Sequence, residues 1–456
     1  MRRKTQVFPG KYCPECGYIL YYSNIEKNKY VCKRCNIVVR EWKVYLISPS
    51  ERGILKNAGD RPPLGILYIA SYLRKNDINV KVADMNHKSL DEVLEEVERF
   101  NPDCIGISFT TPMFKRAMIV ARKLKKFIPN PKLVAGGPHP SADPESCLKV
   151  FDYVVVGEGE KAMLNIVRNE PEERIIHEPF IQDLDSIPRP ARDLVIMWNY
   201  ELEQDGERTA TLISSRGCIG GCVYCSRKSL GNKFRAHSAE YVVREMEELW
   251  ESYGYTSFYF LDDIFTYDKK RVLEICKLIK VLLPKISFRI TTRADMVTKT
   301  LLKRLKGAGL KILSLGIEHA DNDVLKKSGK GMTVEDNERI IKWCKELGIK
   351  VKGFFILNLP GASINTIRKT LHWAKEMDLD DADFYILTAF PGSCLWNNPE
   401  NFGMKILDRD FNYFQARQNL TQNINILNKN IPQKDRLLKY WKLVMEDWKK
   451  WKKRRN

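Results

Sequence analysis

The sequence lacks any run of eighteen apolar residues, so nothing in it reads as a helix able to span a bilayer. Its basic opening, Met1-Arg2-Arg3-Lys4, is not followed by an apolar segment, which argues against a secretory signal and sets a cytoplasmic expectation. Acidic residues are in deficit, with 57 Asp and Glu against 76 Lys and Arg, a formal charge of +19. That imbalance suits an acidic partner (nucleic acid, an anionic membrane surface or a phosphorylated substrate) and equally a lysine-rich surface of the thermophile kind. A disorder signature is also missing. Hydrophobic residues make up 44% and charged residues 29% of 456 residues, a globular balance long enough for two or three cores.

Twelve cysteines are present, and seven of them fall into two tight groups. In a reducing compartment such groups read as metal sites before disulfides. Cys13, Cys16, Cys32 and Cys35 are spaced C-x2-C-x15-C-x2-C, as tetrahedral thiolate sites require. Gly17 permits the sharp turn after Cys16, and Tyr18–Tyr22 and Tyr30–Val31 read as short strands between the pairs. Residues 1–41 therefore resemble a zinc ribbon. Rubredoxin uses similar knuckles, so zinc and iron both stay open as the metal. Cys104, Cys147, Cys276, Cys344 and Cys394 sit in apolar surroundings and read as core residues.

From Lys43 apolar strands alternate with amphipathic helices. Strands are expected at 44–48, 79–83, 104–108, 133–135 and 153–156, with helices at 64–75, 90–100, 113–126 and 160–167. This is the α/β pattern of a doubly wound parallel, Rossmann-like sheet over 42–168. Ligands of such sheets sit beyond the strands' carboxyl ends. Here that edge holds 48–63, Ser108-Phe109-Thr110-Thr111 and Gly136-Gly137-Pro138-His139. Residues 169–205, with the proline-punctuated Ile187–Arg192, read as a linker. Six more βα units over 206–400 form a partial (βα)6 barrel, with strands at 210–214, 257–261, 287–291, 312–316, 350–356 and 383–387. Residues 401–456 lose this rhythm and end in a helix.

After the first barrel strand comes Arg216-Gly217-Cys218-Ile219-Gly220-Gly221-Cys222-Val223-Tyr224-Cys225. Three thiolates at Cys218, Cys222 and Cys225 can hold a 4Fe–4S cubane and leave one iron open, able to take a chelating ligand such as S-adenosylmethionine. The glycines let the loop wrap a cluster, and Tyr224 could pack against an adenine. Zinc, with His237 as a fourth ligand, is the competing reading. The order of later segments resembles the radical S-adenosylmethionine superfamily over roughly 210–400. Phe260-Leu261-Asp262-Asp263-Ile264-Phe265 is similar to its second-strand motif, which implies that Asp262 and Asp263 lie near the methionine amino group. Gly316-Ile317-Glu318 resembles the fourth-strand motif, with His319 where a serine often follows. Gly353 to Gly361 resembles the fifth-strand segment, implying Gly353 and Asn358 on the adenine side, and Phe390-Pro391-Gly392-Ser393 matches the end of the sixth strand. The resemblance implies one-electron reduction by a ferredoxin- or flavodoxin-like partner, cleavage of S-adenosylmethionine to a 5′-deoxyadenosyl radical, and hydrogen abstraction from an inert carbon. No side chain stands out as a general base.

Pro62–Leu73, Ile105–Ser108, Gly136–Ser141 and Val156-Gly157-Glu158-Gly159-Glu160 are similar to the cobalamin-binding domains fused to radical enzymes, as is Asp183–Pro188. The resemblance implies cobalamin contacts at Ser108, Thr110, Gly136, Gly137 and His139. The D-x-H-x-x-G segment that gives cobalt a histidine is absent, since His87 follows Asp84 at the wrong spacing. The function implied is methylation of an unactivated carbon in a small molecule or lipid. Radical ring closure or rearrangement is the alternative. An RNA modifier and a non-catalytic cobalamin carrier belong to other classes. The extra cysteines and terminal barrel of methylthiotransferases are missing, and the intact triad argues against a carrier. Finally, Leu437, Trp441, Val444, Trp448 and Trp451 form an apolar stripe opposite Lys439, Lys442, Lys449, Lys450 and the basic run 452–455. Such a stripe either lies on an anionic membrane or packs against the barrel.

Overall fold

The computed structural model describes residues 7–12, 15–22, 29–32, 34–35, 38–54, 58–128, 130–411 and 424–455; Cys13 lies outside the described residues. Strands Val7–Tyr12, Ile19–Tyr22, Lys29–Cys32 and Val38–Arg40 form an antiparallel sheet in chain order. Two contacts tie it to the parallel sheet beside it: the Tyr30 hydroxyl donates to Glu41 at 2.7 Å, and Arg40 pairs with Asp103 at 3.3 Å.

The strands of this parallel sheet are β1 (Lys43–Ser48), β2 (Asn79–Asp84), β3 (Cys104–Ser108), β4 (Lys132–Gly136), β5 (Tyr153–Val156) and β6 (Ile175–His177). Their spatial order, β6-β5-β4-β3-β1-β2, reverses between β1 and β3, and that reversal is the switch point where doubly wound folds bind ligands. β1 is buried on both faces, as a sheet covered by helices on each side requires. Helices α1 (Leu64–Lys75), α2 (Leu90–Phe100), α3 (Phe114–Phe127) and α4 (Gly159–Asn169) provide that cover. α2 shows why the sequence starts and stops where it does. Ser89 and Glu92 cap its N-terminus reciprocally, Val93, Val97 and Phe100 fill one face, and Asn101 turns left-handed at φ 51° to end it. A cap of this kind contributes about 1 kcal/mol. β6 falls within the stretch read as linker and pairs in parallel with β5.

The remainder of that stretch is packed, not loose. The amide of Ala191 donates to the Leu67 carbonyl at 3.1 Å, and Ser71 donates to that of Pro188 at 3.1 Å. Arg192, buried, pairs with buried Glu245 at 2.7 Å and donates to the Thr211 carbonyl at 2.9 Å. The strap thus joins α1 to the second parallel sheet. This sheet runs in chain order through β7 (Glu207–Leu212), β8 (Ser257–Phe260), β9 (Ser287–Thr292), β10 (Leu310–Glu318), β11 (Lys350–Ile356) and β12 (Asp381–Tyr385), with Glu203–Gln204 added antiparallel at the β7 edge. Among the described residues β12 does not pair with β7, so the barrel is open. Helices α5 (Ala239–Tyr253), α6 (Lys269–Leu282), α7 (Lys299–Gly307), α8 (Val334–Glu346) and α9 (Ile364–Glu376) pack outside it.

The last helix, α10 (Lys434–Lys453), follows the second of the two courses open to its stripe and packs against the barrel. Its stripe is used internally: Leu437, Val444 and Trp448 are buried in the barrel's core cluster, Trp441 donates to the Phe384 carbonyl at 3.0 Å, and Trp448 meets the Phe384 ring edge-on at 5.6 Å. The stripe is thus turned to the barrel, while Leu443 on the same helix is exposed. Among the described residues no helix is long and apolar enough to cross a membrane.

Candidate functional site

The loop after β7 carries Cys218, Cys222 and Cys225 at the carboxyl end of the half-barrel. Its path is fixed by backbone requirements. Gly217 has φ 86°, and a side chain there would collide with the Lys233 carbonyl. Arg227 donates to the Gly220 carbonyl, and the Val223 amide donates to that of Ser328 at 3.1 Å. The Gly220 amide donates to the Cys218 sulfur at 3.4 Å, and a Cβ on Gly220 would lie 3.4 and 3.8 Å from the sulfurs of Cys218 and Cys222. Cys222 is buried, Cys218 half-buried and Cys225 exposed. The thiol of Cys225 lowers Cys222 to about 6 against the effect of burial, with Lys330 assisting, and the same contact raises Cys225. Burial and Asp263 raise Cys218, opposed by the Gly220 amide and Arg293. Such a donor set, glycine-wrapped and flanked by cations, fits an iron–sulfur cluster with an open side. His237 does not join it. Its ring stacks on Tyr241 at 3.9 Å, its Nδ1 faces Asp185 at 3.2 Å, and burial and Arg216 lower it to about 3.

Several expected contacts for S-adenosylmethionine have other partners. Both oxygens of buried Asp262 are taken by the loop's root: Oδ1 accepts from the Ser214 amide at 2.7 Å, and Oδ2 accepts from the hydroxyls of Ser214 and Ser215 at 2.6 and 2.5 Å. Asp263 is exposed at the loop, and its carboxyl is raised by its surroundings and by Asp262. Asn358 is fully buried, its Oδ1 accepting from the Leu387 amide at 2.6 Å and its Nδ2 donating to Ile426 at 3.4 Å. Gly353 lies on the helix side of β11, where a Cβ would come within 2.8–3.0 Å of Phe355, Ile317 and Leu379. His319 also turns outward, to the Thr370 hydroxyl at 3.1 Å.

Other residues stay at the loop. Glu318, at φ 67°, holds a left-handed conformation uncommon for a side-chain-bearing residue and worth about 1–3 kcal/mol of strain. It accepts from Lys330 at 2.8 Å in the space that Gly316 leaves open. Burial opposes the charge of Lys330, but Glu318 and Cys222 outweigh it and raise its pKa. The Lys330 carbonyl accepts from Arg293 at 2.8 Å. Tyr224 is buried among Leu359, Ala362, Leu387 and Leu395, and its hydroxyl is turned to the Cys222 thiol, which it helps to lower. Lys330 and Arg293 were not anticipated from sequence; the signal for Lys330 was its place between Gly329 and Gly331, both at positive φ.

Facing the loop is a cavity of about 240 Å³ at the switch point, lined on one side by Ser108, Gly136 and Gly137 and on the other by Arg216 and Leu230. It is mostly apolar-walled and open at its glycines. A Cβ on Gly65 or Gly136 would meet nothing within 4 Å, and one on Gly106 would strike Leu46 at 2.8 Å. A cradle of this kind fits a large flat ligand laid close to the backbone. Thr110 does not line it. Neither does His139, which corrects that expectation: it is fully buried behind the edge, bonded to Thr111 and Ser146 at 3.2 Å each, with burial lowering it to about 4.

The cavity and the loop are joined by buried charges that sequence reading missed. Arg216, two residues before Cys218, donates to Glu158 at 2.8 Å and Glu160 at 2.7 Å, and its guanidinium lies 5.2 Å from the Tyr68 ring. Arg235 donates to both oxygens of Glu158 at 2.9 Å, while the Ile181 amide donates to Glu158 at 2.8 Å. In the ribbon, the sulfurs of Cys16, Cys32 and Cys35 stand 3.3–3.4 Å apart, close enough for one ion.

An open half-barrel with a three-cysteine loop, facing a glycine-lined switch-point cavity, defines a radical enzyme coupled to a corrinoid-binding sheet. Residues 212–374 match the Radical SAM superfamily and residues 53–167 the B12 binding domain. The chain is 33% identical to an uncharacterized methyltransferase, PH0819, of Pyrococcus horikoshii, over 77% of this chain and 81% of that one. It therefore belongs to the radical SAM enzymes that carry a B12-binding domain. It is also 29% identical to an anaerobic magnesium-protoporphyrin IX monomethyl ester cyclase of Rubrivivax gelatinosus, covering 81% of this chain and 71% of that one. The fold is shared with the radical S-adenosylmethionine methyltransferase TsrM of Kitasatospora setae, solved with cobalamin and a [4Fe-4S] cluster, at a TM-score of 0.66 and 17% identity over 81% of each chain.

Proposed function

We propose that the protein is a cobalamin-dependent radical SAM methyltransferase acting on an unactivated carbon of a small molecule, with Cys218, Cys222 and Cys225 holding its 4Fe–4S cluster. The observation that carries this reading is the buried Arg216–Glu158–Glu160 join, which sets the cysteine loop directly against the switch-point cavity. When bound, the reduced cluster with S-adenosylmethionine supplies a radical able to remove hydrogen, and the corrinoid supplies a transferable methyl group. The chain's own residues bind and orient. Asp263, and Glu318 with Lys330, are the charged groups suited to the amino and carboxylate ends of S-adenosylmethionine, and Tyr224 is suited to its adenine. Ser108, Gly136 and Gly137 would hold the corrinoid. Asp262 acts one step back, fixing Ser214 and Ser215 at the root of the loop. The ribbon cysteines, Cys13 included, would hold zinc or iron.

The test uses protein reconstituted without oxygen with iron, sulfide and cobalamin, then given S-adenosylmethionine and a strong one-electron reductant. Formation of both 5′-deoxyadenosine and S-adenosylhomocysteine is expected. Zinc at the central loop, with neither product formed, sinks the proposal. Ring closure is the second reading, favoured by the likeness to the cyclase. It yields 5′-deoxyadenosine without S-adenosylhomocysteine.

A further inference from the structure

We propose that Arg289, inside the half-barrel, anchors an oxyanion of the substrate, a carboxylate or a phosphate, and so selects an anionic substrate with an aromatic or apolar body. The inference rests on the radical reading of the loop above, because the same strands carry both.

Inner faces of parallel barrels usually fill with branched aliphatic side chains. This one encloses a cavity of about 630 Å³ lined by Tyr259, Arg289, Lys352, Phe354, Asp383 and Tyr385 among others. Most charges on its wall are matched, and among the described residues Glu203 and Asp380 are carboxylates there without an ion pair. Asp381 accepts from Lys352 at 2.9 Å and Lys452 at 2.8 Å, and Asp383 accepts from Lys352 at 3.0 Å and the Tyr385 hydroxyl at 3.2 Å. Lys350 pairs with Asp205 at 2.8 Å and Arg61 with Asp60 at 2.7 Å.

Arg289 stands apart. Among the described residues no carboxylate pairs with it. Its Nε donates to the Ser314 hydroxyl at 2.8 Å, and its guanidinium lies 4.3 Å from the Tyr259 ring centre. These two contacts fix the plane of the group while leaving its terminal nitrogens for a ligand. A planar fork held in place is what favours bidentate recognition of carboxylate or phosphate, since little ordering remains to be done on binding. In register with Tyr259, and hence on the same inner face, Thr211 is buried with a hydroxyl that has no hydrogen-bond partner among the described residues. Phe354 and Tyr385, 6.4 Å apart, supply flat apolar wall for the remainder of the molecule.

The probes are phenyl phosphate and benzoate, added to the anaerobically reconstituted full chain and followed by calorimetry. In parallel, phenylglyoxal labelling of Arg289 is mapped by mass spectrometry. At least one probe is expected to bind and to slow labelling of Arg289. Arg289→Gln should weaken binding by about tenfold or more, and Arg289→Lys should recover part of it. Preference for one probe names the phosphate or the carboxylate as the recognised group. The proposal is overturned if neither probe binds, or if Arg289→Gln binds as tightly as wild type. Should the Gln variant fail to fold, protection of Arg289 in wild type decides by itself. Formation of 5′-deoxyadenosine by wild type without probe reports separately on the radical reading, so the two can fail independently.

Discussion

The protein holds two sets of cysteines, and they differ in what they are built to grip. In the ribbon, three sulfurs stand 3.3–3.4 Å apart, close to the ~3.8 Å separation that a tetrahedral ion with 2.3 Å metal–sulfur bonds imposes. The central loop spreads its sulfurs around Gly220, exposes Cys225, and sets Lys330 and Arg293 beside them. Among the described residues only the ribbon trio falls within 4.8 Å of one another. A closed tetrahedral site stabilises a fold, whereas a wide one with an open side leaves room for a larger cluster and a reactant.

Breaking the wide site should have the largest effect. Cys222→Ala is expected to abolish the iron–sulfur absorbance and to lower 5′-deoxyadenosine formation by about a thousandfold or more, equivalent to ~4 kcal/mol of barrier. The ribbon's metal content should not change. Metal analysis and product quantification on the same sample check both halves.

The join behind the loop comes next. Arg216 is buried against two carboxylates, and removing one partner of a buried ion pair costs about 3–5 kcal/mol because the other charge is stranded. Arg216→Met should destabilise the chain by that order in denaturant titration, while Glu160→Gln, which leaves Arg216 and Arg235 both paired with Glu158, should cost less. Equal losses in both variants would mean that the network is not divided as the distances indicate.

The same contrast explains what was legible in the sequence. Spacing of cysteines and the alternation of strands and helices are local, so the six barrel strands and the helix Leu64–Lys75 could be read directly. The Arg216–Glu158 and Arg216–Glu160 contacts span 58 and 56 residues, and no local pattern announces them. Asp262 and Asn358 carry the right residue types, but burial gives their polar atoms to the backbone and hydroxyls beside them. Gly353 was readable. It alternates with Lys352 and Phe354 on β11 and shares its face with buried Val351 and Phe355, so strand period alone sends it toward the helices.

Acid should separate the two regions further. The wide loop rests near His237, whose pKa is lowered to about 3 by burial and Arg216, against 6.5 in an unfolded chain; residues 1–41 contain no histidine. Between those values the unfolded state binds the extra proton, so stability is intact above pH 6.5 and falls as pH drops toward 3. The slope from one such group is about 1.4 kcal/mol per pH unit. Chemical denaturation at pH 7, 6 and 5 should show this, and His237→Phe should flatten the profile by one proton. An unchanged slope would mean that the ring is protonated in the folded chain.

The smallest effect on chemistry should come from the closed site. Cys16→Ser removes one of three sulfurs that stand within 3.4 Å, and a tetrahedral ion short of a thiolate binds far more weakly, so about one equivalent of zinc or iron should be lost. The ribbon meets the parallel sheet through Tyr30–Glu41 and Arg40–Asp103, on the side of β1 and β3 opposite their carboxyl ends, where the switch-point cavity opens. Formation of 5′-deoxyadenosine should therefore stay within about threefold of wild type, a change of less than ~1 kcal/mol in barrier. A loss as deep as that of Cys222→Ala would place the ribbon on the electron path to the cluster. That outcome would turn the contrast from structural against reactive into two halves of one redox chain.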